Sequence, residues 1–315
     1  MNAKVEQQIR EMKNQTIGVE VEMNGITREN AAKTAATFFG TGRCEYTARR
    51  NGYYTWSAWD NQGREWKFQR DVSINGPDEE KCELVTPILT WADIETLQEL
   101  CRQLRHKGAK SDATRGCGVH IHIGANGHTP QTLRNLANIM ASHESLLASA
   151  LNLDSYRINR YCRTVDQDFL ERVNRRKPKT MPALADIWYG SQGCNYGRDQ
   201  HYNDSRYHML NLHATFTKGT VEFRLFQFDA PTADRKGGIH AGQLKSYIQL
   251  CLALSQMAKT VRTASPKPQQ NENPKYAMRT WLLRLGFIGD EFKTARDLFT
   301  NRLEGDAAFR NGRIG

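Results

Sequence analysis

Gly118-Val-His-Ile-His-Ile-Gly124 decides how the rest of this chain is read. Apolar and polar residues alternate through it with the period of a β-strand. Successive side chains there take opposite faces, and residues two apart stand side by side, about 6.5–7 Å apart along the strand. Val119, Ile121 and Ile123 are expected to face a core, with His120 and His122 together on the other face. Two further runs repeat the pattern, Gly18-Val-Glu-Val-Glu-Met23 and Val221-Glu-Phe-Arg-Leu-Phe226. Their apolar faces are Val19, Val21 and Met23, and Val221, Phe223 and Leu225; their polar faces are Glu20 with Glu22, and Glu222 with Arg224. A solvated strand face usually carries Thr, Lys, Ser and Gln. One sheet with these three polar faces on the same side would form a concave site for metal and phosphate.

Around these strands the pattern is α+β, mainly antiparallel strands with helices packed behind them. A short polar helix is expected over Met1–Lys13 and another from about Glu29 to Phe39. Alternating aromatic and polar residues between Gly40 and Trp66 read as twisted hairpin strands. Asp71–Ile74 and Cys82–Pro87 are expected to pair antiparallel across the Gly76-Pro77-Asp78 turn. Thr90 with Asp93 echoes a capping box, before a helix whose apolar positions are Ile94, Leu97, Leu100, Cys101 and Leu104. Thr129-Pro130 marks a further helix start. Residues 190–206 read as a long, turn-rich loop of the kind that often serves as a lid. Leu210–Phe216 and Thr220–Phe228 read as a hairpin across Lys218-Gly219, and a long helix follows over His240–Lys259. The expected organisation is a catalytic domain over residues 1–262, a Pro-rich linker over 263–274 and a helical tail over 275–315.

Bulk properties narrow the function classes. The 315 residues suffice for a full core, and 39% hydrophobic with 25% charged residues is ordinary globular composition. No stretch approaches a membrane span, and Met1–Thr16 lacks the character of a secretory signal, so the expected location is the cytoplasm. Seven scattered cysteines, none in a C-x-x-C, argue against a disulfide framework or a zinc knuckle. Cys117, beside the histidine pair, reads as a small residue at a strand entrance rather than a nucleophile. The net charge of +10 points to an anionic partner, and Arg157, Arg160, Arg163, Arg172, Arg175, Arg176, Lys177 and Lys179 concentrate much of it. No helix-turn-helix, zinc-finger or aromatic RNA-reading signature accompanies that charge, which argues against nucleic acid as the partner.

Each polar pair alone is weak evidence: Glu-x-Glu is common in strands and Glu-x-Arg can be a cross-strand ion pair. Their joint occurrence in separate apolar strands, with Glu83 in a further one, is what singles them out. Hard carboxylate oxygens suit Mg2+ or Mn2+, whereas zinc hydrolases favour histidine-rich ligation. Divalent ions beside an arginine meet the need of phosphoryl transfer, where charge spreads over the phosphate oxygens. No Walker loop is present, so metal-bound phosphates on a sheet would have to hold any nucleotide.

Six segments together resemble one family. They are Ile17–Met23, Asp71-Val-Ser-Ile74, Cys82-Glu-Leu-Val-Thr-Pro-Ile-Leu89, Cys117–Gly124, Arg206-Tyr207 with Asn211-Leu212, and Thr220–Phe226. In this order, over about residues 16–230, they are similar to the putative amidoligase family, part of the glutamine synthetase and glutamate–cysteine ligase superfamily. The resemblance implies a curved, mainly antiparallel catalytic sheet with helices on its convex face. It implies an ATP-dependent carboxylate–amine ligase using Mg2+ or Mn2+ and an acyl-phosphate intermediate. It makes Glu20, Glu22, Glu83, His120 and Glu222 metal ligands, and lets His122 touch metal or nucleotide. Arg224 becomes the group that stabilises transition-state charge, and Asp71 contacts the amine or closes the site. Arg206 and Asn211 become substrate or nucleotide contacts on the lid side. Asp71, Glu79 and Glu80 all stay open as the base for the amine.

The resemblance departs from glutamine synthetase before Glu20, where too few residues precede the first strand for that enzyme's N-terminal sheet domain. Its partners would be a carboxylate substrate and an amine donor, with an acidic peptide or protein among the candidates for the carboxylate. Three other readings compete. They are a guanidino-kinase-like phosphotransferase on the same sheet, a basic nucleic-acid-binding protein without catalysis, and a metal-dependent hydrolase.

Overall fold

The structure is a computed structural model that describes residues 3–48, 52–233, 237–268 and 272–309. Its helices are α1 (Ala3–Lys13), α2 (Arg28–Phe38), α3 (Ile94–His106), α4 (Pro130–Leu151), α5 (Ser155–Arg160), α6 (Gln167–Arg176), α7 (Met181–Ser191), α8 (His213–Lys218), α9 (Ala241–Thr260), α10 (Pro274–Arg284) and α11 (Lys293–Thr300). Its strands are β1 (Ile17–Met23), β2 (Cys44–Tyr46), β3 (Trp56–Trp59), β4 (Glu65–Gln69), β5 (Cys82–Val85), β6 (Val119–Gly124), β7 (Leu210–Asn211) and β8 (Thr220–Phe226). The fold class is α+β, and every strand pair whose register is defined is antiparallel. The chain divides into two compact units.

The first unit, Thr16–Ile121 with Phe226–Lys245, carries strands in the order β2-β3-β4-β5-β1, followed by the start of β6. Val19, Val21 and Met23 of β1 are buried, as alternation requires. Thr27 begins α2 by accepting the Asn30 amide on its side chain, and Ala31, Ala32, Ala35 and Ala36 bury a face of methyl groups. That small face lets the helix lie against β3 and β4. At Thr90 the expected capping box is present: Asp93 Oδ2 accepts the Thr90 amide at 2.8 Å, ahead of α3. Ile94, Leu97, Leu100, Cys101 and Leu104 are all buried.

One pairing in this unit differs from expectation. Asp71–Ile74 forms a turn and not a strand, and β5 pairs with β1 and β4 instead. The physical reason is the aspartate: its Oδ1 accepts both the Ser73 amide and the Ser73 hydroxyl at 2.7 Å, a local bond that competes with a strand ladder. The expected hairpin connection between β2 and β3 includes residues 49–51, which lie outside the described residues; the two strands do pair.

The second unit, Met1–Gln15 with His122–Leu225 and Ser246–Gly315, contains the end of β6, then β8 and β7. Thr129 caps α4, and Leu133, Leu136, Ala137, Met140 and Leu147 are buried along it. The second expected hairpin is only half present. β7 pairs with β8, but α8 stands between them, so Leu212–Phe216 does not continue the strand. Asn211 Oδ1 accepts the His213 amide at 2.8 Å and turns the chain into α8, and Gly219, at φ 69, closes that helix in the left-handed conformation. The helices after residue 274 pack on this unit: Lys13 pairs with Glu291 at 2.8 Å, and Trp281 stacks on His143 at 3.9 Å. Of the expected linker over 263–274, residues 269–271 lie outside the described residues.

Candidate functional site

In the first unit, strand register brings the carboxylates together. Glu22 of β1 stands directly opposite Glu83 of β5, and Glu83 directly opposite Gln69 of β4. Like charges facing across a ladder repel. Glu22 is fixed from beyond its own strand: Gly118 donates its amide to Glu22 Oε2 at 2.5 Å, while Glu22 donates its own amide to Gly118 O at 3.1 Å. His120 enters between two acids, Nδ1 at 3.0 Å from Glu20 Oε2 and Nε2 at 3.7 Å from Glu22 Oε1. Two sets of ligand atoms result, Glu20 with Glu83 and His120, and Glu22 with Asp71 and Glu83; within each set all the atoms lie within 4.8 Å of one another. A divalent ion drawing oxygens to about 2.1–2.5 Å could gather either set with small side-chain movements.

Glu83 reports the electrostatic state of this cluster. It is 5% exposed, and the Gln69 side-chain amide donates to its Oε2 at 2.8 Å. Burial first, then Glu20, Asp71 and Glu22, push its carboxyl well above the usual carboxylate range, and the Gln69 bond opposes them. Among the described residues no Lys or Arg reaches ion-pair distance of Glu83. A buried acid crowded by three others fits a divalent cation, which would reverse the repulsion. Of the other acids considered as a base, Glu79 is exposed in the turn Asp78–Glu80, while Asp71 stands in the cluster.

In the second unit the polar face is already balanced. Glu222 is 2% exposed; its Oε1 accepts Arg224 Nη1 at 2.6 Å, and its Oε2 accepts Asn211 Nδ2 at 2.6 Å. Asn211 reaches it because β7 and β8 place the two residues directly opposite each other. His122 lies with Nδ1 at 2.9 Å from Thr220 Oγ1 and Nε2 at 3.8 Å from Glu222 Oε1. Asn211 also ties this face to the 190–206 loop through His213, whose Nδ1 meets Tyr189 Oη at 2.7 Å and whose Nε2 meets Gln200 O at 3.0 Å. A carbonyl only accepts, so Nε2 carries a proton; burial pushes this imidazole below its ordinary value. Arg206 lies at the end of the same loop.

Three contributors have no role assigned from the sequence. Thr220 was within reach, since it precedes Glu222 by two residues and shares its face. Gln69 becomes relevant only once β4 is known to pair with β5, and Tyr207, 5.8 Å from the Arg224 guanidinium, only in three dimensions. Cys117 is buried, and no two cysteines are joined in a disulfide. Among the described residues no helix is long and apolar enough to cross a membrane.

The chain was compared with known proteins. No curated protein matches it. Among solved structures, a bifunctional glutathione synthetase from Pasteurella multocida is similar with a TM-score of 0.45 and 12% sequence identity, over 96% of this chain and 49% of that one. The chain therefore spans about half the length of that protein. Residues 13–255 match the family described as "Putative amidoligase enzyme". With most of its length inside that match, including every residue of both polar faces, the chain belongs to the putative amidoligase family.

Proposed function

We propose that this protein is an ATP-dependent carboxylate–amine ligase that forms an amide or isopeptide bond through an acyl phosphate. The observation that carries the reading is the buried Glu83, opposed by Glu22 and surrounded by acids, a charge arrangement suited to divalent metal. Membership of an amidoligase family supports the bond type. The curved catalytic sheet of the glutamine synthetase type belongs to the same reading. Glu20, Glu22, Glu83, His120 and Glu222 would hold Mg2+ or Mn2+, and His122, Arg206 and Asn211 would contact nucleotide or substrate. Bound there, the ions would supply positive charge against the phosphates and the substrate carboxylate.

The chemistry then runs in two balanced steps. A carboxylate oxygen of the substrate attacks the γ-phosphorus of ATP, and the bond to the β-phosphate oxygen breaks to release ADP. The amine nitrogen attacks the acyl carbon, the carbon–oxygen bond breaks, and inorganic phosphate leaves. Arg224, fixed through Glu222, offsets charge that grows on the transferring phosphoryl group. The amine's proton passes to a carboxylate, for which Asp71 is suited: among the described residues only its Oδ1 is hydrogen-bonded.

ADP release in the presence of Mg2+, an amine and a carboxylate tests the reading. Glu20→Ala and Arg224→Lys should each lower that rate by about a hundredfold or more. Release as fast as in the wild type would sink the proposal. A stable phosphorylated product in place of an amide would favour the guanidino-kinase-like phosphotransferase. Salt-dependent nucleic-acid binding that survives Glu20→Ala, without ADP release, would favour the binding protein.

A further inference from the structure

Arg206 is 8% exposed, yet among the described residues its guanidinium donates to one acceptor, His201 O at 3.1 Å. Among the described residues no carboxylate lies within ion-pair distance of it. Two tyrosine rings stand near it, with centroids 5.6 Å (Tyr202) and 5.8 Å (Tyr207) from the guanidinium carbon. Tyr207 is also 5.8 Å from the guanidinium of Arg224. Cation and ring therefore alternate from buried Arg224 through Tyr207 and Arg206 to Tyr202, which is 60% exposed.

A second basic and aromatic group adjoins this row. Arg163 donates through Nε to Tyr207 O at 3.3 Å, and the backbone bonds Arg163 N to Tyr207 O and Met209 N to Arg163 O hold the two segments together. Arg160 donates to Tyr161 Oη at 3.2 Å, and Tyr161 meets Tyr156 edge-on. Arg160 and Arg163 are exposed, and Tyr156 is 62% exposed. Of the acids on these segments, Asp204 is engaged by the Tyr196 hydroxyl at 3.0 Å, and Asp154 accepts the Arg157 amide at 3.0 Å.

A buried guanidinium without a counter-ion is costly, and ring contacts offset that cost only partly because they use none of its N–H donors. Those donors form a planar fork that matches a carboxylate. One acidic group would satisfy Arg206; the further cations at the surface fit several acidic groups on one extended chain. We infer that the carboxylate substrate is an acidic peptide, one carboxylate of which binds Arg206 between Tyr202 and Tyr207 while its neighbours lie along Arg160, Arg163 and Tyr156. This rests on the ligase reading, which requires a substrate that brings a carboxylate; without it, the exposed rings would serve stacked bases equally well.

The test is calorimetric titration of the full chain with a peptide of eight glutamates, without nucleotide or metal, so that its outcome does not depend on ATP chemistry. ADP release tests the ligase reading separately. Arg206→Gln, with folding checked by circular dichroism, should weaken peptide binding by about tenfold or more, the scale of one charge-assisted bidentate pair. The exposed double variant Tyr156→Ala with Arg160→Gln cannot empty a core position, so it decides the matter should Arg206→Gln fail to fold. It should weaken binding by roughly three- to fivefold, with a shallower salt dependence. A non-hydrolysable ATP analogue should bind the Tyr156→Ala, Arg160→Gln variant as it binds the wild type. Unchanged peptide affinity in either folded variant overturns the inference. So does loss of nucleotide affinity in place of peptide affinity, or an eight-nucleotide uridylate that binds more tightly than the peptide.

Discussion

The two polar faces differ in how they balance charge. In the second unit Glu222 meets Arg224 and Asn211 at 2.6 Å each, so its charge is compensated by the chain itself. In the first unit Glu83 meets Glu22 across the ladder and feels Glu20 and Asp71, with an amide as its donor. A self-compensated face holds its geometry without help and is suited to present a fixed guanidinium. A face of crowded acids is suited to a cation, because only a cation turns repulsion into binding energy. The difference separates a face held by its own arginine from one whose acids need a cation, and experiments can break it from either side.

The largest effect is expected from Arg224→Ala. It leaves the Glu222 carboxylate buried beside Asn211 with its ion pair gone, and truncating one partner of a buried pair costs about 3–5 kcal/mol. Denaturant unfolding should show that loss at neutral pH, and replacing both residues together, as Arg224→Met with Glu222→Gln, should recover much of it. A loss under about 1 kcal/mol would mean that Glu222 is not held chiefly by Arg224.

Next comes a buried acid whose shift owes nothing to neighbouring acids. Burial pushes the Glu144 carboxyl up to about 7, offset in part by the Val165 amide, which it accepts at 2.9 Å. A pKa raised on folding gives stability that is full below the unfolded value near 4.5 and lost as pH rises through 7. Removing that dependence with Glu144→Gln, whose amide oxygen can still accept the Val165 bond, should flatten the stability profile between pH 5 and 8 by about 3 kcal/mol. Mg2+ should leave this dependence in place, since the acids of the metal clusters do not include Glu144.

Metal itself should act first through the crowded acids of the first unit. Titrating Mn2+ to about a hundred times its dissociation constant should raise the unfolding free energy by about 2.7 kcal/mol, and by much less in Glu20→Ala or His120→Ala. A melting temperature insensitive to Mn2+ would remove the cradle reading.

Much of this was legible in the chain. Alternation in the runs around Glu20, His120 and Glu222 gave both the strands and their polar faces, because one buried face fixes which side chains share the other. Helix starts at Thr90 and Thr129 were legible for the same local reason, a side chain bonding to nearby amides. What failed was pairing. Asp71 looked strand-like from its neighbours, but its carboxylate closes a turn on Ser73, and Asn211 likewise bends the chain after two residues of β7. The partners of Glu83 and Arg224 depend on register and on residues far off in sequence, which no window of alternation contains.

The smallest effect is the most discriminating. At metal-free pH 8, Glu83→Gln should stabilise the protein by about 1 kcal/mol, the scale of like charges facing across a ladder. The sign follows from the raised carboxyl: the acid destabilises the fold increasingly as pH rises above 4.5, so its neutral isostere gains most at high pH and nothing near pH 4. The Gln69 amide can still donate to the new side chain, so the hydrogen bond seen at 2.8 Å need not be lost. The same variant should lose most of the Mn2+ response, because the acid that makes this face unstable is shared by both ligand sets of the first unit. Stability and metal affinity should therefore move in opposite directions on one substitution. If Glu83→Gln instead destabilised the metal-free protein at pH 8, the first face would be as self-compensated as the second.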